Sequence, residues 1–394
     1  IGGAGNSKYV AASTLALALL VACGDTDPAL DDLALGRRLV DDVAFRRAAL
    51  EDSVAADDGD ARLRLAHYGV AGEWEDLPLL DVETAPVIDG EEPSFERVWS
   101  GDVEWSRDAL LALGRRAFEE WPAQRAPSLA PLLAASGAGS RLDDIGTWGD
   151  ARGRVGGFVW VRYADGTTEP GLSCASCHAR PDANGELVHG AASAFDLGAL
   201  TQQAWGAGRV DVTTDDRDNA AAMPDLRATR HQRRLHHAGN LYNGLAALAV
   251  RTETLLVTAR AEAVRPPREL AFALAYYVWS LGGDEPTPAR RSRVFHDYCE
   301  RCHFDATGAG DIVSSLVVGT DPAVADSSAR GSGGYRVPSL YRISERSQLT
   351  HEGWPLTLEQ FLEPSRAAEY PGHEYGFELD ASERALLVRE LSGR

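Results

Sequence analysis

The sequence CASCH at residues 174–178 recurs as CERCH at residues 299–303. In both stretches two cysteines three positions apart are followed at once by a histidine, and of the chain's five cysteines only Cys23 lies outside the pairs. Cys-x-x-Cys-His is typical of c-type haem attachment, because each thiol adds to a vinyl group while the adjoining imidazole reaches the iron. We therefore predict two covalent haems, with His178 and His303 as their proximal iron ligands.

Two other kinds of site also use paired cysteines. A four-cysteine zinc ribbon separates its pairs by about 15 to 20 residues, but Cys177 and Cys299 lie much further apart. A thioredoxin-like pair needs one Cys-x-x-Cys beside a strand and a helix, and it gives the following histidine no role. The haem interpretation accounts for all six residues, namely Cys174, Cys177, His178, Cys299, Cys302 and His303.

The ligand on the opposite face of each iron decides between electron transfer and catalysis, because an open position admits peroxide or oxygen. The chain's one methionine, Met223, follows the first motif beside a proline and is the candidate distal ligand of the first haem. The rival ligands are His231, His236 and His237, and core packing is the alternative role for a lone methionine.

No methionine follows the second motif, so the second iron has no methionine ligand from its own part of the chain. His373, in the loop before the terminal helix, is the first choice among the possible ligands. The alternatives are His351, Tyr341, Tyr370 or no ligand at all. A surface histidine in a turn is the other interpretation of His373.

Arginines after each motif are candidate ion-pair partners for the haem propionates, since a guanidinium binds a carboxylate through two hydrogen bonds. They are Arg227, Arg230, Arg233, Arg234, Arg336, Arg342 and Arg346. A solvated helix face is the alternative for most of them. Trp205 and Trp279 lie between the motifs in sequence, where each either packs between the haems or belongs to the core.

The first 23 residues predict export. Lys8 gives a positive start, residues 9–22 form an uncharged and mostly apolar run, and the run ends in Leu20-Val21-Ala22-Cys23, which resembles a bacterial lipobox. We expect a lipid anchor on Cys23 that holds the protein to a membrane, and a location in the periplasm or cell envelope. No later run is long enough to predict a membrane-spanning helix.

Charge narrows the possible partners. The 394 residues include 39 Lys and Arg against 59 Asp and Glu, a formal net charge of -20. Such a surface repels phosphate backbones, so nucleic acid is not an expected partner. The acidity serves either solubility or the docking of a basic redox partner.

Helical periodicity predicts a mainly α fold, and the two haem motifs imply two helical domains that resemble cytochrome c after an N-terminal helical region. The predicted parts are a signal peptide with its lipobox (1–23), the N-terminal region (24–140), a first haem domain (141–285) and a second haem domain (286–394). Residues 153–163 predict one strand that enters a hairpin, and residues 74–93 predict an irregular connection. Asp380 with Glu383 predicts the capping box of a terminal helix.

The C-terminal part resembles the bacterial dihaem cytochrome c peroxidase superfamily, which includes the enzymes that mature methylamine dehydrogenase. The resemblance rests on YRVPSL at residues 335–340, HEG at 351–353 and TL at 357–358, and it covers about the last two thirds of the chain, from Gly153 onward. It implies two facing haem domains, a calcium ion between them, and electron transfer from one haem to the other.

These observations predict an exported dihaem cytochrome that transfers electrons, with a redox protein or a small molecule as donor or acceptor. The alternative is an enzyme, a peroxidase or oxidase in which one open haem iron activates peroxide or oxygen.

Overall fold

The computed structural model describes residues 31–54, 74–133, 142, 145–195, 221–260, 263–283, 291–327, 331–346 and 348–393. The predicted signal peptide, the lipid-anchor residue Cys23 and Trp205 lie outside these residues. Across the described ranges, no helix combines the length and the apolar character needed to cross a bilayer.

The described α-helices lie on both sides of each cysteine motif, and the first motif itself forms one of them. They are α1 (Asp32–Asp41), α2 (Val43–Ser53), α3 (Arg107–Glu120), α4 (Ala130–Leu133), α5 (Cys174–His178), α6 (Leu245–Ala259), α7 (Arg268–Ser280), α8 (Arg293–Tyr298), α9 (Ser315–Val318), α10 (Leu358–Phe361) and α11 (Ala381–Ser392). Helices α1, α2 and α3 lie within the predicted N-terminal helical region (24–140). The capping box of Asp380 and Glu383 begins α11 as predicted.

The strands are all antiparallel and form one sheet of four and three of two. They are β1 (Val82–Ile88), β2 (Gln124–Arg125), β3 (Arg154–Tyr163), β4 (Thr168–Leu172), β5 (Ala179–Pro181), β6 (Leu187–His189), β7 (Arg234–Leu235), β8 (Leu241–Tyr242), β9 (Ile312–Ser314) and β10 (Gly334–Arg336). The larger sheet has the order β1-β3-β4-β2, and the pairs are β5 with β6, β7 with β8, and β9 with β10.

The predicted mainly α fold with two cytochrome c-like helical domains is therefore wrong. Helices make up 40% of the structure and strands 16%, spread over several sheets. The four-stranded sheet takes β1 and β2 from the region that was predicted to be helical, and it leads through β4 directly into the first cysteine motif. The prediction rested on helical periodicity, which is a local pattern. It missed the short strands because they pair with residues far away in the sequence.

The predicted irregular connection over 74–93 contains β1. Val82, Ala85 and Val87 are buried in this strand, and Val82 pairs with Tyr163 of β3. Pro86 argues against a central strand because it cannot donate a ladder hydrogen bond, but β1 is at the edge of the sheet, where a proline is tolerated. Residues 82–88 therefore form an edge strand of the sheet although they contain a proline.

The first cysteine motif packs on a hydrophobic core formed by helices and the four-stranded sheet. Phe118 of α3 and Leu270 of α7 are fully buried, and both belong to one cluster with Val159 of β3. Helices α3 and α7 approach closely at Gly114, where an added Cβ would lie 2.0 Å from the carbonyl oxygen of Ala273. Ala175 of α5 belongs to the same cluster, so helices and sheet together fix the position of the motif.

Candidate functional site

The first motif is a single helical turn tied to strand β3. Ser173, just before α5, donates its backbone N–H and its hydroxyl to the carbonyl oxygen of Gly157, at 3.1 and 2.7 Å. Gly157 has a φ of +67°, and an added Cβ there would lie 2.3 Å from the backbone nitrogen of Ser176. Only a glycine allows the strand to approach the motif this closely.

A cavity of about 460 Å³, here called the first cavity, opens beside this motif. Its lining includes Cys174, Cys177 and His178 together with apolar side chains of α6 and α7, among them Leu248, Leu255, Leu274 and Val278. Its volume is that of a site for a drug-sized ligand or cofactor, and mostly apolar walls with a few polar groups are usual for such sites.

The second motif follows helix α8. The hydroxyl of Ser292 accepts from the backbone N–H of Phe295 at 3.1 Å and begins the helix, and the Phe295 side chain is fully buried. The backbone N–H of His303 donates to the carbonyl of Cys299 at 2.9 Å, so this motif also makes a compact turn. A second cavity, of about 440 Å³, is lined by Cys299, Cys302 and His303.

Both motif histidines have one ring nitrogen fixed by a backbone carbonyl. The Nδ1 of His178 lies 3.0 Å from the carbonyl oxygen of Pro224, and the Nδ1 of His303 lies 2.5 Å from that of Gly308. A carbonyl can only accept, so Nδ1 carries the proton in both rings and Nε2 keeps its lone pair. This is the arrangement that orients a metal-ligating histidine.

Burial keeps the groups of the first motif neutral. It lowers the pKa of His178 to about 4, so the imidazole is uncharged near neutral pH. It also raises the pKa of Cys174 to about 12 and that of Cys177 to about 11. A thioredoxin-like pair needs a thiol with a lowered pKa, so these thiols do not suit that chemistry.

The four motif cysteines are free thiols and line two different cavities. Within the described ranges, no group of three or more His, Cys, Asp or Glu residues is arranged to hold a metal ion. The four-cysteine zinc alternative therefore has no support from the geometry. The calcium ion implied by the resemblance stays a prediction.

The structure places His373 opposite His303 in the second cavity. Their ring centres are 6.3 Å apart, with 61° between the ring planes. Two imidazoles on one metal have their ring centres about 6 Å apart, because each metal–nitrogen bond is about 2 Å and each nitrogen is about 1 Å from its ring centre. Burial, followed by the nearby His303, lowers the pKa of His373 to about 4, so this ring is neutral as well.

The other candidate ligands of the second haem are less well placed. His351 lines the second cavity, but its ring stacks on Tyr335 at 4.1 Å, and its Nδ1 is 3.3 Å from the Thr320 hydroxyl. Tyr341 packs against His231, and Tyr370 against Trp354, each at 4.7 Å between ring centres. Of these candidates, only His373 faces His303 at the spacing of a shared metal.

Met223 lies between the two sites. It is buried and lines both cavities. Its neighbour Pro224 holds the Nδ1 side of His178, which faces away from a metal bound at Nε2. Met223 lines the same cavity as His178, so it stays a predicted distal ligand of the first haem.

The rival histidines of the first haem make other contacts. The Nε2 of His231 is 2.9 Å from the carbonyl oxygen of Gly282. His236 accepts from the Nε of Arg251 at 2.9 Å, and the Nε2 of His237 is 2.8 Å from a backbone carbonyl. His236 and His237 line the first cavity, but each of these rings already shares its Nε2 with a protein group.

Among the arginines considered for the propionates, Arg336 and Arg346 have the most suitable positions. Arg336 lines both cavities and Arg346 lines the second. Burial and the like charge of Arg346 lower the pKa of Arg336 to about 10, and the Nε of Arg346 is buried with no hydrogen-bond partner. A buried cation calls for a compensating anion, and a propionate carboxylate fits that donor set.

The remaining arginines contact protein groups. Arg227 is buried and paired with Asp225 at 2.6 Å and with Glu345 at 2.5 Å. Arg234 packs over the ring of Tyr242 at 3.9 Å. Arg230, Arg233 and Arg342 are exposed or half-exposed, and Trp279 packs with the α1 and α7 cluster.

No sequence pattern marks the two carbonyls that orient the motif histidines. Pro224 stands out only as the neighbour of Met223, and Gly308 lies in a turn whose amides bond the side chain of Asp305. Any residue except proline can donate and any residue can accept through its backbone, so residue identity does not mark such a partner.

No protein-family model, curated protein or solved structure matches this chain. The resemblance of its C-terminal motifs to dihaem peroxidases therefore remains a prediction.

Proposed function

We propose that the chain is an exported electron-transfer protein that binds two covalent haems, one in each cavity. One observation carries the proposal: each Cys-x-x-Cys-His motif lines a cavity of suitable volume, and in each the histidine Nδ1 is fixed by a backbone carbonyl. Two separate parts of the chain thus each place two thiols and one histidine with a fixed Nδ1 at a cavity. The haem iron supplies one-electron redox chemistry when bound.

The residues of each site have distinct roles in this proposal. Cys174 and Cys177 anchor the first haem and Cys299 and Cys302 the second, while His178 and His303 donate their Nε2 lone pairs. Arg336 and Arg346 bind propionates. Apolar walls from α6 and α7 exclude water from the first site. The exclusion of water lowers the reorganisation energy of electron transfer.

We further propose that His303 and His373 both ligate the second iron. A site with two histidine ligands has no open position, so it relays electrons without binding peroxide or oxygen. The acidic surface then favours a basic redox partner, and a lipid on Cys23 would keep the protein at a membrane of the cell envelope.

The enzymatic alternative rests on the first site. Over the part of the chain that the structure describes, no aromatic ring faces His178 as His373 faces His303. An iron held only by His178 would keep one position for peroxide or oxygen, and the second haem would then supply electrons.

Spectroscopy of purified protein tests these proposals. We expect two covalent haems per chain by mass, and a low-spin second haem that becomes high-spin in His373→Ala. His351→Ala is the matched control, because His351 lines the same cavity without facing His303. Protein that carries no haem would overturn the whole proposal, and an unchanged His373→Ala spectrum would overturn the bis-histidine site. Cyanide binding by the first haem of the unaltered protein would favour the enzyme.

A further inference from the structure

Arg366 is a buried arginine that binds backbone carbonyls. It lies in the 3-10 helix Pro364–Ala368 and is 6% exposed. Its Nε donates to the carbonyl of Phe361 at 2.5 Å and its Nη1 to that of Tyr370 at 2.6 Å. Its Nη2 donates to the carbonyls of Gly372 and His373, at 2.9 and 2.8 Å. All three guanidinium nitrogens are thus used, and three of the four acceptors belong to residues 370–373.

Two aromatic rings contact the guanidinium. Its central carbon is 4.5 Å from the ring centre of Phe361 and 4.9 Å from that of Phe377. Stacking on aromatic faces and a rigid planar set of donors are properties that lysine does not share. The contacts therefore require an arginine and fix the plane in which its hydrogen bonds point.

The segment that Arg366 binds has an unusual backbone. His373 has a φ of +50° and Gly372 a φ of +88°, and a positive φ is uncommon for a residue other than glycine. The backbone N–H of His373 donates to the carbonyl of Val318 in α9 at 2.7 Å. Arg366 on one side and α9 on the other thus hold the His373 backbone in a conformation that it would not favour alone.

The ring of His373 follows from this backbone. It packs at 5.0 Å from the ring centre of Phe361 and at 5.4 Å from that of Tyr375, and its Nδ1 is buried with no hydrogen-bond partner. No hydrogen bond at Nδ1 orients the ring, in contrast to His178 and His303. Backbone geometry and packing alone direct it toward His303.

We propose that Arg366 is a positioning residue that holds His373 in the orientation needed to ligate the second iron. This inference rests on the bis-histidine site proposed above. It assigns to Arg366 the role that a backbone carbonyl has for the two motif histidines.

Arg384 provides a matched control. It is another largely buried arginine nearby that donates to two backbone carbonyls, those of Leu362 at 2.9 Å and Leu379 at 3.1 Å. Neither acceptor belongs to residues 370–373. Arg384→Lys should therefore lose buried hydrogen bonds of the same kind, two instead of four, and leave the conformation of His373 unchanged.

The experiment compares haem-loaded Arg366→Lys, Arg384→Lys and His373→Ala with the unaltered protein. We expect the high-spin fraction of the second haem to rise at least tenfold in Arg366→Lys and its reduction potential to shift toward that of His373→Ala. Added imidazole should restore the low-spin spectrum in both variants. Arg384→Lys should keep the spectrum and potential of the unaltered protein, whatever its melting temperature.

Two results would overturn the inference, and they differ from failure of the bis-histidine site. If His373→Ala becomes high-spin while Arg366→Lys keeps the native spectrum and potential, Arg366 does not position the ligand. If Arg384→Lys changes the spectrum as much as Arg366→Lys, the effect is general loosening. An unchanged spectrum in His373→Ala would instead refute the bis-histidine site itself.

A second variant covers the case in which Arg366→Lys does not fold. Phe377→Leu removes one of the two rings around the guanidinium and leaves its hydrogen bonds in place. We expect a smaller rise in the high-spin fraction, about threefold, again reversed by imidazole. A folded Phe377→Leu protein with no rise at all would count against the inference.

Discussion

A buried cluster of charges joins the N-terminal helices to the wall of the first cavity, and it allows a quantitative prediction. Glu75 accepts from Arg46 of α2 at 2.6 Å and from Arg268 of α7 at 2.5 Å. Glu253 of α6 is 3% exposed, and its Oε1 is 3.3 Å from the Nε of Arg268 without making a hydrogen bond to it. Burial outweighs the attraction of Arg268 and Arg46 and raises the pKa of Glu253 to about 7.

The direction of the pH effect follows from this shift. The folded protein binds the Glu253 proton more tightly than the unfolded chain, whose carboxyl has a pKa near 4.5. Stability from this group is therefore fully present below about pH 4.5 and is lost as the pH rises to about 7. One pKa unit corresponds to about 1.4 kcal/mol, so ionised Glu253 costs the fold about 3 kcal/mol at pH 8.

Glu253→Gln removes that cost, because glutamine resembles the protonated acid and cannot ionise. We expect its free energy of unfolding to match that of the unaltered protein near pH 5 and to exceed it by about 2 to 3 kcal/mol at pH 8. Urea unfolding followed by circular dichroism at both pH values measures the difference. A glutamine variant that is no more stable than the unaltered protein at pH 8 would refute the reasoning.

Glu75→Gln is the control for this experiment. Glu75 accepts hydrogen bonds from two arginines, so its removal leaves buried cations without their partner. That change should destabilise the protein by about 3 to 5 kcal/mol at both pH values. Opposite signs for the two glutamates would show that position in the cluster, and not removal of a charge as such, decides the effect.

Three further predictions concern the sites. Gly157→Ala should destabilise the protein by at least about 2 kcal/mol and reduce loading of the first haem, because its Cβ would meet the Ser176 backbone. Gly166→Ala is the control, because its Cβ would enter open space. Equal losses of unfolding free energy in the two variants would contradict this prediction. The double substitution Cys174→Ser and Cys177→Ser should remove the mass of the first haem while the second haem stays attached, because no thiol of the first motif is left to form a thioether. Arg336→Met should lower the reduction potential of both proposed haems, because loss of a buried cation favours the more positive, oxidised iron. A redox titration that shows no change at either haem would contradict its role at both sites.

How far the sequence predicts this molecule depends on the range of each signal. The helix starts at Asp380 and Ser106 were predictable because a cap and its partner lie within one turn. Leu386, Leu387 and Leu391 have the spacing of one helix face, yet Leu386 is 40% exposed while Leu387 and Leu391 are buried. A spacing pattern identifies a helix more reliably than it identifies the limits of its buried face.

The motif residues of the candidate site could be predicted from the sequence, but the residues that orient their side chains could not. Two thiols and a histidine at fixed spacing are a local pattern, whereas the support of His178 comes from Pro224 and that of His373 from α9, far along the chain. No sequence pattern marks Arg366, because its partners are backbone carbonyls and any residue can supply a carbonyl. Tertiary contacts of this kind become visible only in the folded chain.

The two cavities share a wall, and this bears on how the sites would work together. Met223, Pro224 and Asp225 line both cavities, and so does Arg336. The carbonyl of Pro224 orients His178 directly. Burial and the nearby positive charge of Arg346 lower the pKa of Arg336. A change in charge at either site therefore acts on the same few groups, since a buried cation in a low-dielectric wall responds to anions on both sides. Binding of the first haem should for this reason alter the potential of the second even if the bis-histidine ligands do not move.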